Sequence, residues 1–164
     1  MSLESPFWRF SLTLYQTPDV APACLMLQDS RGMDVNLLLY ALWAGLQGAA
    51  LVAADFDRLD ALIRPWRTNI IQPLRGVRRA LKSPLIEIVS QAPDDLRARI
   101  AAAELDAEQI QQALLYAQPL IVNPASTLPP RSQAIENAGR LLAWLAISDQ
   151  EMDKSILALL VRSL

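Results

Sequence analysis

Six cationic side chains and no acidic one lie between residues 61 and 86. These cations are Arg64, Arg67, Arg75, Arg78, Arg79 and Lys82. The last four are spaced i, i+3, i+4 and i+7, so they share one face of a helix, and the first two continue roughly the same line. Guanidinium groups bind phosphates and carboxylates through paired hydrogen bonds. The spacing therefore predicts a helix with one cationic face that could bind an anion.

Six cations without a nearby acid repel one another, so this face needs counter-charge. The counter-charge could be internal, from Asp55, Asp57, Asp60 or the acidic C-terminal half, or it could be external. External candidates are a phosphate, a nucleic-acid backbone, an acidic lipid or an acidic protein. The net charge of −2 gives no overall field toward nucleic acid. The favoured interpretation is a non-enzymatic protein whose cationic face contacts an acidic protein partner.

A second polar group lies between residues 28 and 36. Asp29, Asp34 and Asn36 supply oxygen atoms of the kind that bind Ca²⁺ or Mg²⁺, but the glutamate that closes a calcium loop is missing. Helix capping and turn formation explain the same three residues. The sequence therefore predicts no metal site here.

The alternative function is a pocket for a small molecule or a phosphorylated ligand, with a catalytic use left open. The pocket would lie between the hydrophobic segment that begins at Asp34 and the arginine-bearing helix. Its candidate lining residues are Asp29, Asn36, Tyr40 and Trp66, together with Arg75. This hypothesis requires those side chains to converge on one concave site.

The composition removes several classes of enzyme. The chain has no histidine, which excludes serine–histidine and cysteine–histidine catalysis. Cys24 is the single cysteine and lies in an apolar context, so it is expected to be a buried core residue. The five glycines do not form a phosphate-binding loop. The sequence thus favours a protein without catalytic residues or cofactors.

The segment from Asp34 to Gly48 is the most hydrophobic part of the chain. It reads as one helix that is apolar on all sides, which is typical of a helix in the middle of a bundle. Asp34 can cap its first turn, and Gly48 can end it. Residues 37–54 approach the length of a membrane span, but aspartates flank them in place of basic anchors. A buried helix is therefore predicted rather than a membrane span.

The rest of the chain predicts a single all-α domain over residues 1–164, a bundle of about seven to nine helices around this central one. A segment with helical periodicity runs from Asp55 to Leu81 and is interrupted by Pro65 and Pro73. Residues 119–131 form a proline-rich loop. Helices or short helical turns are also predicted at 6–15, 20–28, 85–89, 92–103, 106–118, 132–147 and 150–162.

Several of these motifs resemble those of an uncharacterised proteobacterial family of small helical proteins, known only as a domain of unknown function. The resemblance covers about residues 5–115 and has the signature LQD-x-x-G-x-DVNLLL-x-x-LW, which begins at Leu27 and ends at Trp43. Further matching motifs are Phe7-Trp8-Arg9-Phe10, Leu14-Tyr15, Trp66-Arg67 and Pro73-Leu74-Arg75. The resemblance implies a bacterial, cytoplasmic protein and brings no reaction or ligand with it. The sequence indicates no oligomeric state.

Overall fold

The computed structural model describes residues 3–82, 91–120 and 128–146. Within these ranges the chain is helical and contains no β-strand, which confirms the all-α fold class. The helices are α1 (Pro6–Tyr15), α2 (Val20–Arg31), α3 (Val35–Leu46), α4 (Ala53–Trp66), α5 (Gln72–Ala80), α6 (Ala92–Tyr116) and α7 (Pro130–Trp144), and a π-helical segment (Arg67–Ile71) joins α4 to α5.

The count of separate helices is six in the described ranges, because α4, the π-helical segment and α5 form one continuous helix. The predicted seven to nine is slightly too high for this part of the chain. The turn predicted at 85–89, the helix predicted at 150–162 and most of the proline-rich loop lie outside the described residues.

Helix α3 occupies the centre, as its apolar composition predicted. Asp34 is its N-cap, with Oδ1 accepting a hydrogen bond from the backbone N–H of Leu37 at 3.0 Å. Gly48 follows the helix with a φ of 82°, a conformation that favours glycine. The side chains from residue 36 to residue 42 are all buried, so neighbouring helices cover α3 on several sides.

Helix α1 packs against α3 through an aromatic cluster. Ser5 caps α1 by accepting a hydrogen bond from the N–H of Trp8, and Pro6 occupies the first helical position, as predicted. The ring of Phe7 meets the ring of Tyr40 edge-on at 5.5 Å and lies at the same distance from the ring of Trp43. These contacts fix α1 across the central helix.

Helix α7 approaches α3 more closely than ordinary side chains would allow. A Cβ atom added to Gly45 would lie 2.3 Å from the Cα of Ala134. Next to this crossing, the buried Asn137 donates hydrogen bonds to the carbonyls of Ala41 and Ala49 and accepts one from the N–H of Leu51. The two helices are therefore held by backbone proximity and by a fully buried amide.

Helix α6 corrects one prediction. Residues 92–103 and 106–118 were expected to form two helices, but a single helix runs from Ala92 to Tyr116. Asp106 and Gln109 form no capping box, because Gln109 donates instead to the carbonyl of Leu3 and to Glu4. Aspartate and glutamine also occur on the exposed face of a helix far from its ends, so this pair of residue types does not by itself mark a helix start.

The ends of three other helices also differ from the prediction. Helix α7 begins at Pro130, inside the predicted loop of residues 119–131, and not at residue 132. Helix α2 continues past residue 28 to Arg31, and Gly32 ends it with a φ of 66°. Helix α4 begins at Ala53, and Asp55 is not its N-cap; its carboxylate accepts a hydrogen bond from the N–H of Val52. Asp55 therefore stabilises the first turn from the third helical position.

None of the helices in the described ranges combines the length and the apolar character that a membrane crossing requires.

Candidate functional site

A cleft of about 530 Å³ opens between five of the six separate helices of the described ranges. The end of α2 and the start of α3 form one wall, and the π-helical segment and α5 form the second. Glu108 and Gln111 of α6 line the cleft from a third side. Leu141, Trp144 and the following residue supply an apolar portion from α7. The wall therefore combines charged, amide and apolar groups.

Asp34 joins three elements at this cleft. Besides capping α3, its carboxylate accepts a hydrogen bond from Arg67 of the π-helical segment at 3.2 Å and one from the amide of Gln111 at 2.8 Å. The Asp34 side chain is only 8% exposed. A buried carboxylate is tolerated when such donors surround it.

Arg67 forms a second buried ion pair, with Asp60 of α4 at 2.8 Å. Asp60 also pairs with Arg64 one turn along the helix. Burial acts to raise the pKa of Asp60, but hydrogen bonds from the two arginines outweigh it and hold the pKa below its ordinary value. Asp60 is therefore held as a carboxylate.

A second cluster connects α5 to α6. Arg75 donates to Glu104 at 2.9 Å and to Glu108 at 2.8 Å, and Arg78 donates to Glu104 at 2.5 Å. Burial acts to raise the pKa of Glu104, but hydrogen bonds from Arg78 and Arg75 outweigh it and lower the pKa. Glu104 is thus held as a carboxylate between two guanidinium groups.

Glu108 has the opposite environment, although it lies one turn from Glu104. Burial raises its pKa, the negative charge of Glu104 adds to this effect, and the single hydrogen bond from Arg75 does not reverse it. The other oxygen of Glu108 accepts no hydrogen bond from the described residues. The protonated form of Glu108 is therefore favoured relative to that of an ordinary carboxyl group.

Arg79 lies at the rim of the cleft and pairs with Asp29 of α2. Both side chains are about half exposed, at 52% and 54%. Exposed ion pairs contribute only about 0–1 kcal/mol, so this pair can open at little cost.

Gln111 carries an unpaired polar atom at the cleft. Its side chain is fully buried, and its Nε2 donates to Asp34, but its Oε1 has no hydrogen-bond partner in the described part of the chain. The hydrogen bond to a carboxylate fixes which end of the amide faces Asp34. The carbonyl end therefore remains an unused acceptor.

The π-helical segment helps to position the arginines. The backbone N–H of Gln72 bonds to the carbonyl of Arg67, five residues earlier, so the helix is locally wider than an α-helix. Pro65 and Pro73 flank the segment. The expected interruption by proline is present, and it takes the form of a π turn inside a continuous helix.

The structure places the predicted pocket residues in different regions. Asp29 and Asn36 line the cleft together with Arg75. Tyr40 does not line it, because it is 2% exposed within the core beside Phe7. Trp66 does not line it either, because its indole N–H donates to the carbonyl of Ala107 on α6.

Three of the six predicted cations line the cleft, namely Arg67, Arg75 and Arg79. Five of the six form ion pairs with carboxylates of the same chain, and Lys82 forms none with a described residue. The counter-charge that the sequence required is therefore largely internal. It comes from α2, the α3 cap, α4 and α6, and it includes Asp60 among the candidates named from the sequence.

Sequence reasoning missed the contribution of α6. Glu104, Glu108 and Gln111 are spaced i, i+4 and i+7, a pattern that places them on one helical face. The prediction of a helix start at Asp106 divided that pattern between two helices and concealed it.

In the described ranges, no group of three or more carboxylate or cysteine side chains is placed to hold a metal ion. Cys24 is fully buried, and burial raises the pKa of its thiol to about 11.

A family model described as "Protein of unknown function (DUF2390)" matches residues 6–115, which include every charged and amide residue of the cleft. No curated protein and no solved structure matches the chain.

Proposed function

This chain belongs to the family of proteins of unknown function DUF2390, and from the geometry of its cleft we propose that it binds a small polar molecule between α3, α5 and α6. The observation that carries the proposal is the cleft itself. Its volume of about 530 Å³ falls within the range of small-molecule sites, which is about 300–1,000 Å³. A network of ion pairs that served only to join helices would not need such a space.

The polar groups of the wall are held in place, as a binding site requires. Asp34 accepts hydrogen bonds from three donors, and Arg75 lies between two glutamates. Fixed side chains lose little conformational entropy when a ligand binds. Arg79 differs, because its exposed pair with Asp29 leaves it available to an acidic group on the ligand.

The acidic-partner hypothesis has weaker support from the same contacts. Arg75 is 18% exposed and Glu104 is 7% exposed, so this pair is not displayed to a partner. Arg75→Glu would add a third carboxylate beside Glu104 and Glu108 and would destabilise the fold. Lys82→Glu tests that hypothesis better, because Lys82 is exposed and forms no ion pair with a described residue. The cytoplasmic, bacterial origin implied by the family resemblance stays a prediction.

Gly76 offers a direct test of the cleft. It lies in α5, lines the cleft and has no atom within 4 Å of the position that a Cβ would take. Gly76→Phe should therefore place a ring in the cleft without disturbing the core. Gly139 of α7 is a matched control, because its Cβ position is equally open and it does not line the cleft.

The experiment is native mass spectrometry of the full chain purified from its own host, beside thermal shifts with a panel of small polar compounds. We expect a bound small molecule or a raised melting temperature for the wild type and for Gly139→Phe, and neither for Gly76→Phe. A wild-type chain that shows neither effect, or a ligand that binds equally to Gly76→Phe, would overturn the proposal.

A further inference from the structure

We propose that the Glu108–Gln111 face of α6 recognises an ammonium group on the ligand. This inference rests on the proposed function, because it identifies which chemical group the cleft accepts. Two acceptors carry it: Oε1 of Gln111, which is buried without a partner, and the second oxygen of Glu108, which accepts no hydrogen bond from the described residues and belongs to a side chain that is 28% exposed. Residues three apart on a helix lie side by side on one face, and both of these line the cleft.

The carbonyl oxygen of Gln111 points to a donor on the ligand. A buried acceptor without a partner destabilises the folded protein, because it has lost its hydrogen bonds to water. Rotating the amide would not remove this cost, since it would place the carbonyl of Gln111 against the carboxylate of Asp34. A ligand donor at this position would satisfy the oxygen without disturbing the hydrogen bond to Asp34.

The charge of the wall favours a cationic donor over a neutral one. Four carboxylates line the cleft, at Asp29, Asp34, Asp60 and Glu108, and three guanidinium groups oppose them. Glu108 is the least compensated of the four, because it shares Arg75 with Glu104. An ammonium group beside Glu108 would supply the missing positive charge and has three donors to share between the two oxygens.

The pKa of Glu108 agrees with this arrangement. Burial and the charge of Glu104 raise it, Asp34 adds to the effect, and Arg75 opposes it. An ammonium group would favour the carboxylate form, so binding should lower the pKa of Glu108.

The test compares butylamine with 1-butanol and butyrate, which share its carbon skeleton. Binding to the full-length chain is followed by NMR through the side-chain amide signal of Gln111 and the carboxyl ¹³C signal of Glu108. We expect butylamine to bind about tenfold to hundredfold more tightly than 1-butanol, the range for hydrogen bonds that involve a charged group. The midpoint of the Glu108 titration should fall when butylamine is bound.

Two variants and one control separate the site from general effects. Glu108→Gln and Gln111→Leu should each weaken butylamine binding at least tenfold. Glu136→Gln removes an exposed carboxylate of α7 by the same chemical change and should leave binding unaltered. The amide signals of the backbone report whether each variant is folded.

The outcomes distinguish the two proposals. If butyrate binds in preference to butylamine and Gly76→Phe abolishes that binding, the ammonium inference is wrong and the proposed function stands. Equal affinity of butylamine for the wild type and for Glu108→Gln would also overturn the inference. If neither butylamine nor butyrate is sensitive to Gly76→Phe, both proposals fail.

Discussion

Single residues in this protein show how strongly the surroundings decide the behaviour of a charge. Glu104 and Glu108 are the same residue type on one helix, yet Arg78 and Arg75 lower the pKa of the first, while burial raises the pKa of the second. The cations were evident from the sequence, since six of them lie in one acid-free segment. Of their partners only Asp60 was named individually, because the other acids that neutralise them are separated from them by up to 50 positions along the chain.

The two glutamates should respond differently to replacement by glutamine. Glu104→Gln removes the charge that Arg75 and Arg78 share, so we expect it to lower the free energy of unfolding by about 1–3 kcal/mol at neutral pH. Glu108→Gln keeps an acceptor for Arg75 and removes a poorly compensated charge, so its effect should stay below about 1 kcal/mol. Urea denaturation of both variants measures this difference, and equal losses would contradict the assigned environments.

Acid should destabilise the protein, because it protonates carboxylates whose pKa values are lowered in the folded state. Asp60 and Glu104 have folded-state pKa values below their unfolded values of 3.8 and 4.5. Their stabilising contribution is therefore full above about pH 5 and is lost as the pH falls through the folded-state values. Glu108 has a raised pKa, so its ionisation has the opposite effect and lowers the stability as the pH rises. The free energy of unfolding, measured by denaturation at several pH values in this range, should depend less on pH in Asp60→Asn than in the wild type. An unchanged pH dependence would show that Asp60 is not held as a carboxylate by Arg64 and Arg67.

Asp34 should be among the most sensitive residues of the cleft. Asp34→Ala removes the cap of α3 and one partner each of Arg67 and Gln111, so we expect a loss of about 2–4 kcal/mol. Asp95→Ala is the control, since this aspartate is exposed in the first turn of α6 and should change stability by less than about 0.5 kcal/mol. Chemical denaturation of both variants gives the comparison, and similar losses would refute the role of Asp34.

At the scale of elements, the crossing of α3 and α7 depends on small residues. Gly45 faces the backbone of α7 at Ala134. The side-chain amide of Asn137 donates hydrogen bonds to a carbonyl within α3 and to one just after its end. The sequence identified α3 correctly, because its cap, its apolar composition and its terminal glycine are local signals. It did not reveal the crossing, since a glycine within a helix gives no information about which helix approaches it.

Adding one methyl group at this crossing should be harmful. Gly45→Ala would force the backbone of α7 outward, so we expect destabilisation of about 1–3 kcal/mol in spite of alanine's higher helix propensity. Gly139→Ala, where the space is open, should instead stabilise α7 by about 0.5–1 kcal/mol. Thermal unfolding monitored by circular dichroism distinguishes these opposite signs, and stabilisation by both changes would exclude the close approach.

At the scale of the whole molecule, α7 adds buried side chains to a hydrophobic core whose other residues lie mostly in the range matched by the family model. Ala134, Ala138 and Leu141 are buried in the same cluster as the α3 side chains, although they follow the matched range of 6–115. The all-α class was predictable from helical periodicity alone. The assembly of the core was not, because it depends on contacts between distant helices that no local pattern encodes.

Removing α7 should therefore expose the central helix. A chain truncated to residues 1–120 would leave one side of α3 uncovered, and we expect it to lose cooperative thermal unfolding and to become sensitive to proteolysis. The full chain, which keeps α7, is the control and should unfold cooperatively. Cooperative unfolding of the shorter chain would show that α7 is dispensable.

The π-helical segment between α4 and α5 also sets the rotational phase of the two helices that it connects. A π turn contains one residue more than an α turn, so residues 67–71 advance by less than the roughly 100° per residue of an α-helix. The faces on which Arg75 and Arg79 meet α6 and α2 depend on this wider turn, although neither arginine belongs to it. The length of this segment is thus as much a part of the cleft as the charges that line it.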